Sequence, residues 1–118
     1  MRFMMLMIPK GYEKAEADFR PDARLVSAMG KYNDELTKAG VVLALDGLHP
    51  SQKGARIKFS GGKGTATDGP FAEAKELLGG YWMIQVKSKE EAVAWALRCP
   101  AQDGDVIEVR QVFEESDF

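Results

Sequence analysis

The chain is poor in the residues that most often carry chemistry, with one cysteine (Cys99) and one histidine (His49) among 118 residues. An internal disulfide is therefore impossible, and the His/Cys clusters of structural zinc, haem attachment and iron–sulfur centres are excluded. Charge of one sign is lacking too. Sixteen Lys and Arg against eighteen Asp and Glu give −2, without the field that draws a chain to nucleic acid or an anionic membrane. The apolar run Phe3 to Ile8 is six residues long, short of the roughly 7 to 15 of a signal h-region and the roughly 20 of a bilayer span. These absences predict a cytoplasmic chain with no cofactor, nucleic-acid or membrane partner. At 118 residues one domain over 1–118 is expected, large enough to build a core without staples.

What is present reads as alternating strands and helices. Residues 3–8 are apolar at every position, as in a central strand covered on both faces, and Pro9-Lys10-Gly11 ends it. After a polar stretch over 11–20, Pro21 and Asp22 open a helix over 22–39. Leu25, Ala28, Met29, Tyr32, Leu36 and Ala39 recur at helical spacing, and Gly40 stops it. Residues 41–45 form a second buried strand, interrupted by the turn formers 46–51. Gly61-Gly62 joins strands 55–60 and 63–68 as a hairpin. A short helix is expected over 72–78, then a strand over 81–86. Ser88 and Glu91 form a capping box opening a helix to about Arg98, with Ala92, Val93, Ala96 and Leu97 inward. The last strand is 106–113, and 114–118 is a solvated acidic tail.

This order is a split βαβ arrangement repeated twice: α+β, with two helices on one face of an antiparallel sheet. Two helices cannot cover both faces. The apolar first strand therefore predicts that the uncovered face meets a second copy or encloses a ligand, hence a homodimer.

Few segments could hold a reaction. Gly61-Gly62-Lys63-Gly64-Thr65 is no phosphate loop, because Ile57 stands where the Walker pattern needs glycine and Thr67 where the dinucleotide pattern needs its third. The segment Asp68-Gly69-Pro70-Phe71 admits two roles for its carboxylate. Asp68 could accept backbone N–H groups of the following helix, or act as a general base if desolvated. Glu73 and Glu76 lie one helical turn apart beside Lys75, an ordinary exposed set in which Glu76 is a ligand-binding candidate.

Asp68-Gly69-Pro70-Phe71 with Glu73, Lys75 and Glu76, followed by Gly79-Gly80-Tyr81, resembles the signature of the DGPF, or YCII-related, family of small bacterial proteins. Ala39-Gly40, Gly47-Leu48 before Pro50, Glu91-Ala92, Trp95-Ala96 and Glu108-Val109-Arg110 extend the resemblance along most of the chain. It implies a ferredoxin-like fold assembled as a dimeric α/β barrel, two sheets facing across a cleft. Relatives in the wider superfamily include muconolactone-type isomerases and dehalogenases, and members with the DGPF segment are associated with sigma-factor genes. The chain departs from the pattern twice. Its first helix lacks the histidine of the broader family, and Gln111 replaces a usual proline.

The expectation is a small-molecule-binding dimer, with proton transfer of isomerase or lyase type, or else a non-catalytic binding or regulatory module. Asp68 would be the acid/base, assisted by His49. Arg110 shares a strand side with Glu108, so it either clamps a ligand carboxylate or pairs with Glu108. Tyr81 and Trp82 alternate, one for the cleft and one for the core.

Overall fold

A computed structural model of the chain describes residues 1–16, 18–71 and 77–118. Its main sheet has four strands: β1 (Arg2–Ile8), β2 (Val42–Gly47), β5 (Gly80–Gln85) and β6 (Val106–Gln111). They lie in the order β2-β5-β1-β6, every neighbouring pair antiparallel. Helices α1 (Ala23–Lys38) and α2 (Lys89–Leu97) cover one face. A separate ribbon is made of β3 (Ala55–Ser60) and β4 (Lys63–Asp68), paired only with each other.

The sheet's two faces follow the period of two. On β1, Phe3, Met5 and Met7 are buried under the helices, while Met4, Leu6 and Ile8 are only half-buried. β1 is central, as its apolar run predicts, but within one chain it is covered on one face. Trp82 and Ile84 of β5 join the same buried layer, closed by Tyr32 and Leu36 of α1 and Ala92 of α2. The rings of Tyr32 and Trp82 meet edge to face at 5.8 Å. Their polar ends are satisfied, the Tyr32 hydroxyl donating to the Trp95 carbonyl at 2.6 Å and the Trp82 indole to Asn33 Oδ1 at 2.8 Å.

Several local expectations change. Asp22 caps α1 from outside, its Oδ1 accepting the Arg24 N–H at 2.7 Å. β2 is an edge strand that runs on through Asp46 and Gly47, with a bulge between Val42 and Ala44. Ser88 caps α2 as expected, accepting the Glu91 N–H at 3.2 Å, but Glu91 returns its bond to the Lys87 N–H, one residue before the cap. α2 turns Ala92, Trp95 and Ala96 inward, and Cys99 just past its end packs on the same cluster. Val93 and Leu97 are exposed, because they lie about 110° and about 150° around the helix from the middle of that stripe. β6 ends at Gln111, and the acidic tail is docked: Glu114 pairs with Arg2 at 2.8 Å, and the rings of Phe113 and Phe118 lie 5.2 Å apart. The expected short helix falls largely on 72–76, outside the described residues, and Leu77 and Leu78 belong to no regular element.

The ribbon is as expected, Ala55–Ser60 and Lys63–Asp68 joined by Gly61 and Gly62 at φ +58 and +79. Two positive φ angles suit a two-residue turn that follows the strands' twist, and glycine adopts them freely.

Candidate functional site

The open face of the sheet is built by cross-strand register. One row runs Asp46, Tyr81, Leu6, Glu108 across β2, β5, β1 and β6, and the next runs Ala44, Met83, Met4, Arg110. The first row is thus polar toward both ends around Leu6, and the second is apolar from Ala44 to Met4 and ends on Arg110. With strands about 4.8 Å apart, the floor of Leu6, Met4 and Met83 separates Tyr81 from β6 by about 10 Å. That span suits a small organic molecule.

Both rims are polar pairs. On one, the Tyr81 hydroxyl donates to Asp46 Oδ2 at 3.2 Å. That bond and the carboxylate's charge hold the Tyr81 phenol above its ordinary value, so it stays a neutral donor. On the other, Arg110 pairs with Glu108 at 3.0 Å, with the guanidinium largely exposed. The salt bridge weighed for Arg110 is therefore formed, and an exposed pair of this kind is weak enough to yield to a ligand anion. Of the two aromatic neighbours, Trp82 enters the core and Tyr81 takes the open face.

Asp46 is the rim residue that sequence reasoning missed. The dipeptide Asp46-Gly47 reads as a turn, yet Gly47 lets the strand continue against Gly80, where the Cβ of any larger residue at position 80 would stand 3.0 Å from the Asp46 carbonyl oxygen. Counting the period of two onward from Ala44 is the signal that finds it. At this end of β2 and β5 a pocket of about 140 Å³ lies under Met29 and Asn33, bordered by Leu45, Asp46 and Tyr81. A second depression of about 300 Å³ sits beside Pro9, Lys10 and Gly104.

The remaining candidates lie elsewhere. Asp68 is exposed at the base of the ribbon, opposite Ala55, and makes no side-chain hydrogen bond among the described residues. His49 is exposed in the loop after β2, and no bond joins it to Asp68 among those residues. Glu76 lies outside the described residues.

The rest of the Asp68 segment has a clear local purpose. A Cβ on Gly69 would fall 1.7 Å from the Ser51 carbonyl oxygen, so only glycine fits there. The Gly69 N–H donates to the Gly54 carbonyl at 2.9 Å, the Phe71 N–H to Ser51 Oγ at 3.3 Å, and the Arg56 guanidinium lies 4.3 Å from the Phe71 ring centre. Together these bonds fasten the foot of the ribbon onto the turn Ser51–Lys53.

No three His, Cys, Asp or Glu side chains come together as a metal site among the described residues. Nor is any described helix long and apolar enough to cross a membrane.

Sheet order, antiparallel pairing and two helices on a single face define a ferredoxin-like α+β fold. Within that class, the family model of the YCII-related domain matches residues 1–116, and the chain belongs to that family. An uncharacterised protein of Rhizobium meliloti (strain 1021) is 32% identical over 75 residues, which is 64% of this chain and 60% of that relative's length.

Proposed function

We propose that the open sheet face is one wall of a ligand cleft closed by the sheet of a second copy, in the cytoplasm, and that the cleft takes a small organic molecule carrying an anionic group. The observation that carries this is the pair of rows across the sheet, in which an apolar floor lies between Tyr81–Asp46 and Arg110–Glu108. Such a floor is half-exposed in one chain and gains its burial only from a partner or a ligand. Arg110 anchors the anion in place of Glu108, and the Tyr81 hydroxyl turns its one O–H from Asp46 to the ligand.

Binding is the reading supported over proton transfer, because Asp68 is exposed, whereas a carboxylate needs desolvation or a specific partner to act as a base near neutrality, and among the described residues no bond joins His49 to Asp68. The test is a thermal-shift screen of small carboxylates and phosphates. Ligands that raise the melting temperature of the wild type should lose most of that shift in Arg110→Ala and keep it in Asp68→Asn. A shift that survives Arg110→Ala but disappears in Asp68→Asn would move the site to the ribbon base and restore Asp68 as the candidate acid/base.

A further inference from the structure

The ribbon β3–β4 is exposed at every position of both strands. Its register nevertheless sorts its side chains as a buried sheet would. Ala55, Ile57, Phe59 and Ala66 share one face, with Asp68 at its foot, whereas Arg56, Lys58 and Lys63 share the other with threonines and a serine. Ile57 is 54% and Phe59 80% exposed. Gly64 lies beneath both, a Cβ there being 3.0 Å from each side chain, so the two apolar groups gather over the glycine into one patch.

Two measures of shape say that this surface is surplus for a lone molecule. The chain exposes 8376 Å², about 2,000 Å² more than the roughly 6,300 Å² of a compact monomer of 13.0 kDa. Its radius of gyration is 16.0 Å, where about 13.5 Å is usual for this length. A standard interface hides about 800 Å² on each partner, and obligate dimers hide more. The excess is of obligate-dimer size. Charge points the same way: residues 55–68 carry Arg56, Lys58 and Lys63 against Asp68, net +2 in a chain of −2, which leaves −4 on the rest. A second copy therefore carries net charge of opposite sign outside its own ribbon.

We propose that the ribbon is an exchanged arm. Each copy lays the Ile57–Phe59 face of its ribbon on the body of the other, leaving Arg56, Lys58 and Lys63 on the reverse face. This rests on the paired-sheet cleft proposed above and adds the element that clasps it. A two-fold axis makes the exchange reciprocal, so the assembly closes at two copies.

The test is sedimentation equilibrium of the full chain as wild type, as the double variant Ile57→Ser/Phe59→Ser, and as Leu6→Glu on the sheet floor, with hydrogen exchange across 55–68. The double variant should raise the dimer dissociation constant about tenfold or more, with an unchanged far-ultraviolet spectrum and faster exchange in the ribbon. If Leu6→Glu breaks the dimer and the ribbon variant leaves it intact, the arm is overturned while the cleft stands. If only the ribbon variant breaks it, the arm stands and the paired-sheet cleft does not. A wild type that is monomeric at high micromolar concentration overturns both. Ribbon amides that gain protection only on adding anionic vesicles or duplex DNA overturn the arm in favour of those occupants.

Discussion

The body and the ribbon are written in the same alternating code and end in opposite environments. On β1, Phe3, Met5 and Met7 find Tyr32 and Leu36 of α1 across from them and are buried. On β3, Ile57 and Phe59 alternate just as regularly and stay exposed. Alternation therefore specifies which side chains share a face, while burial depends on whether another layer reaches that face. The two regions are also held differently. The body is cooperative, because its strands and helices share one close-packed layer. A two-stranded ribbon alone is marginal, and this one is held at its ends by Gly61-Gly62 and by the Gly69–Ser51 contact.

The largest effect should come from the body's core. Ile84 is fully buried, and Ile84→Ala should lower unfolding stability by about 2–5 kcal/mol through lost transfer and the cavity left behind. Phe59→Ala, measured on monomer at low concentration, should stay within about 0.5 kcal/mol of wild type. Urea unfolding of both variants checks this. Equal losses would mean that the ribbon's apolar face is already packed within its own chain and that the two-region contrast is false.

A smaller, local loss is expected at the ribbon's foot. Gly69→Ala would drive a Cβ into the Ser51 carbonyl, for which overpacking costs about 1–3 kcal/mol. Gly64→Ala meets only the movable side chains of Ile57 and Phe59 and should cost much less. Hydrogen exchange should place the Gly69→Ala damage at 51–71 and spare β1, β5 and β6. Damage spread through the main sheet would show the ribbon and body to be one cooperative unit.

Sequence patterning carried the architecture because each helix and most strands have a period and an end signal of their own. Gly40 after α1, Ser88 before α2 and the Gly61-Gly62 turn each satisfy a backbone need that few other residues meet. Patterning failed where two principles compete. Val93 and Leu97 are as apolar as Ala92 and Ala96, but the small alanines let α2 approach the sheet, with Trp95 filling the adjoining space. Asp46 was lost to the turn chemistry of Asp-Gly, which a neighbouring strand overrides here through the ladder to Tyr81. The strand side of Arg110 was legible because it alternates on a well-marked strand, whereas alternation left open which of Tyr81 and Trp82 faces outward. Asp68 stood out as part of a motif whose demanding member is Gly69, since close approach to Ser51 needs glycine whatever the adjoining carboxylate does.

The smallest effect separates the regions by pH, because a group held away from water is found in the body alone. Cys99 sits half-buried beside Met29, its Sγ 3.9 Å from the Met29 sulfur. Burial, helped by the nearby charge of Asp105, pushes its thiol up to about 11. The folded chain thus keeps the proton more tightly than the unfolded chain, whose thiol has the ordinary value near 9. The sign follows from linkage: the contribution is fully present below about pH 9 and is lost as pH rises through about 11. Cys99→Ala should therefore flatten the alkaline fall of stability between those values, while shifting the neutral-pH baseline by a constant amount. Wild type and variant falling in parallel would show that Cys99 is as wet as the ribbon. Alkylation supplies the independent check, since iodoacetamide at pH 8 should modify native Cys99 far more slowly than the same residue in urea.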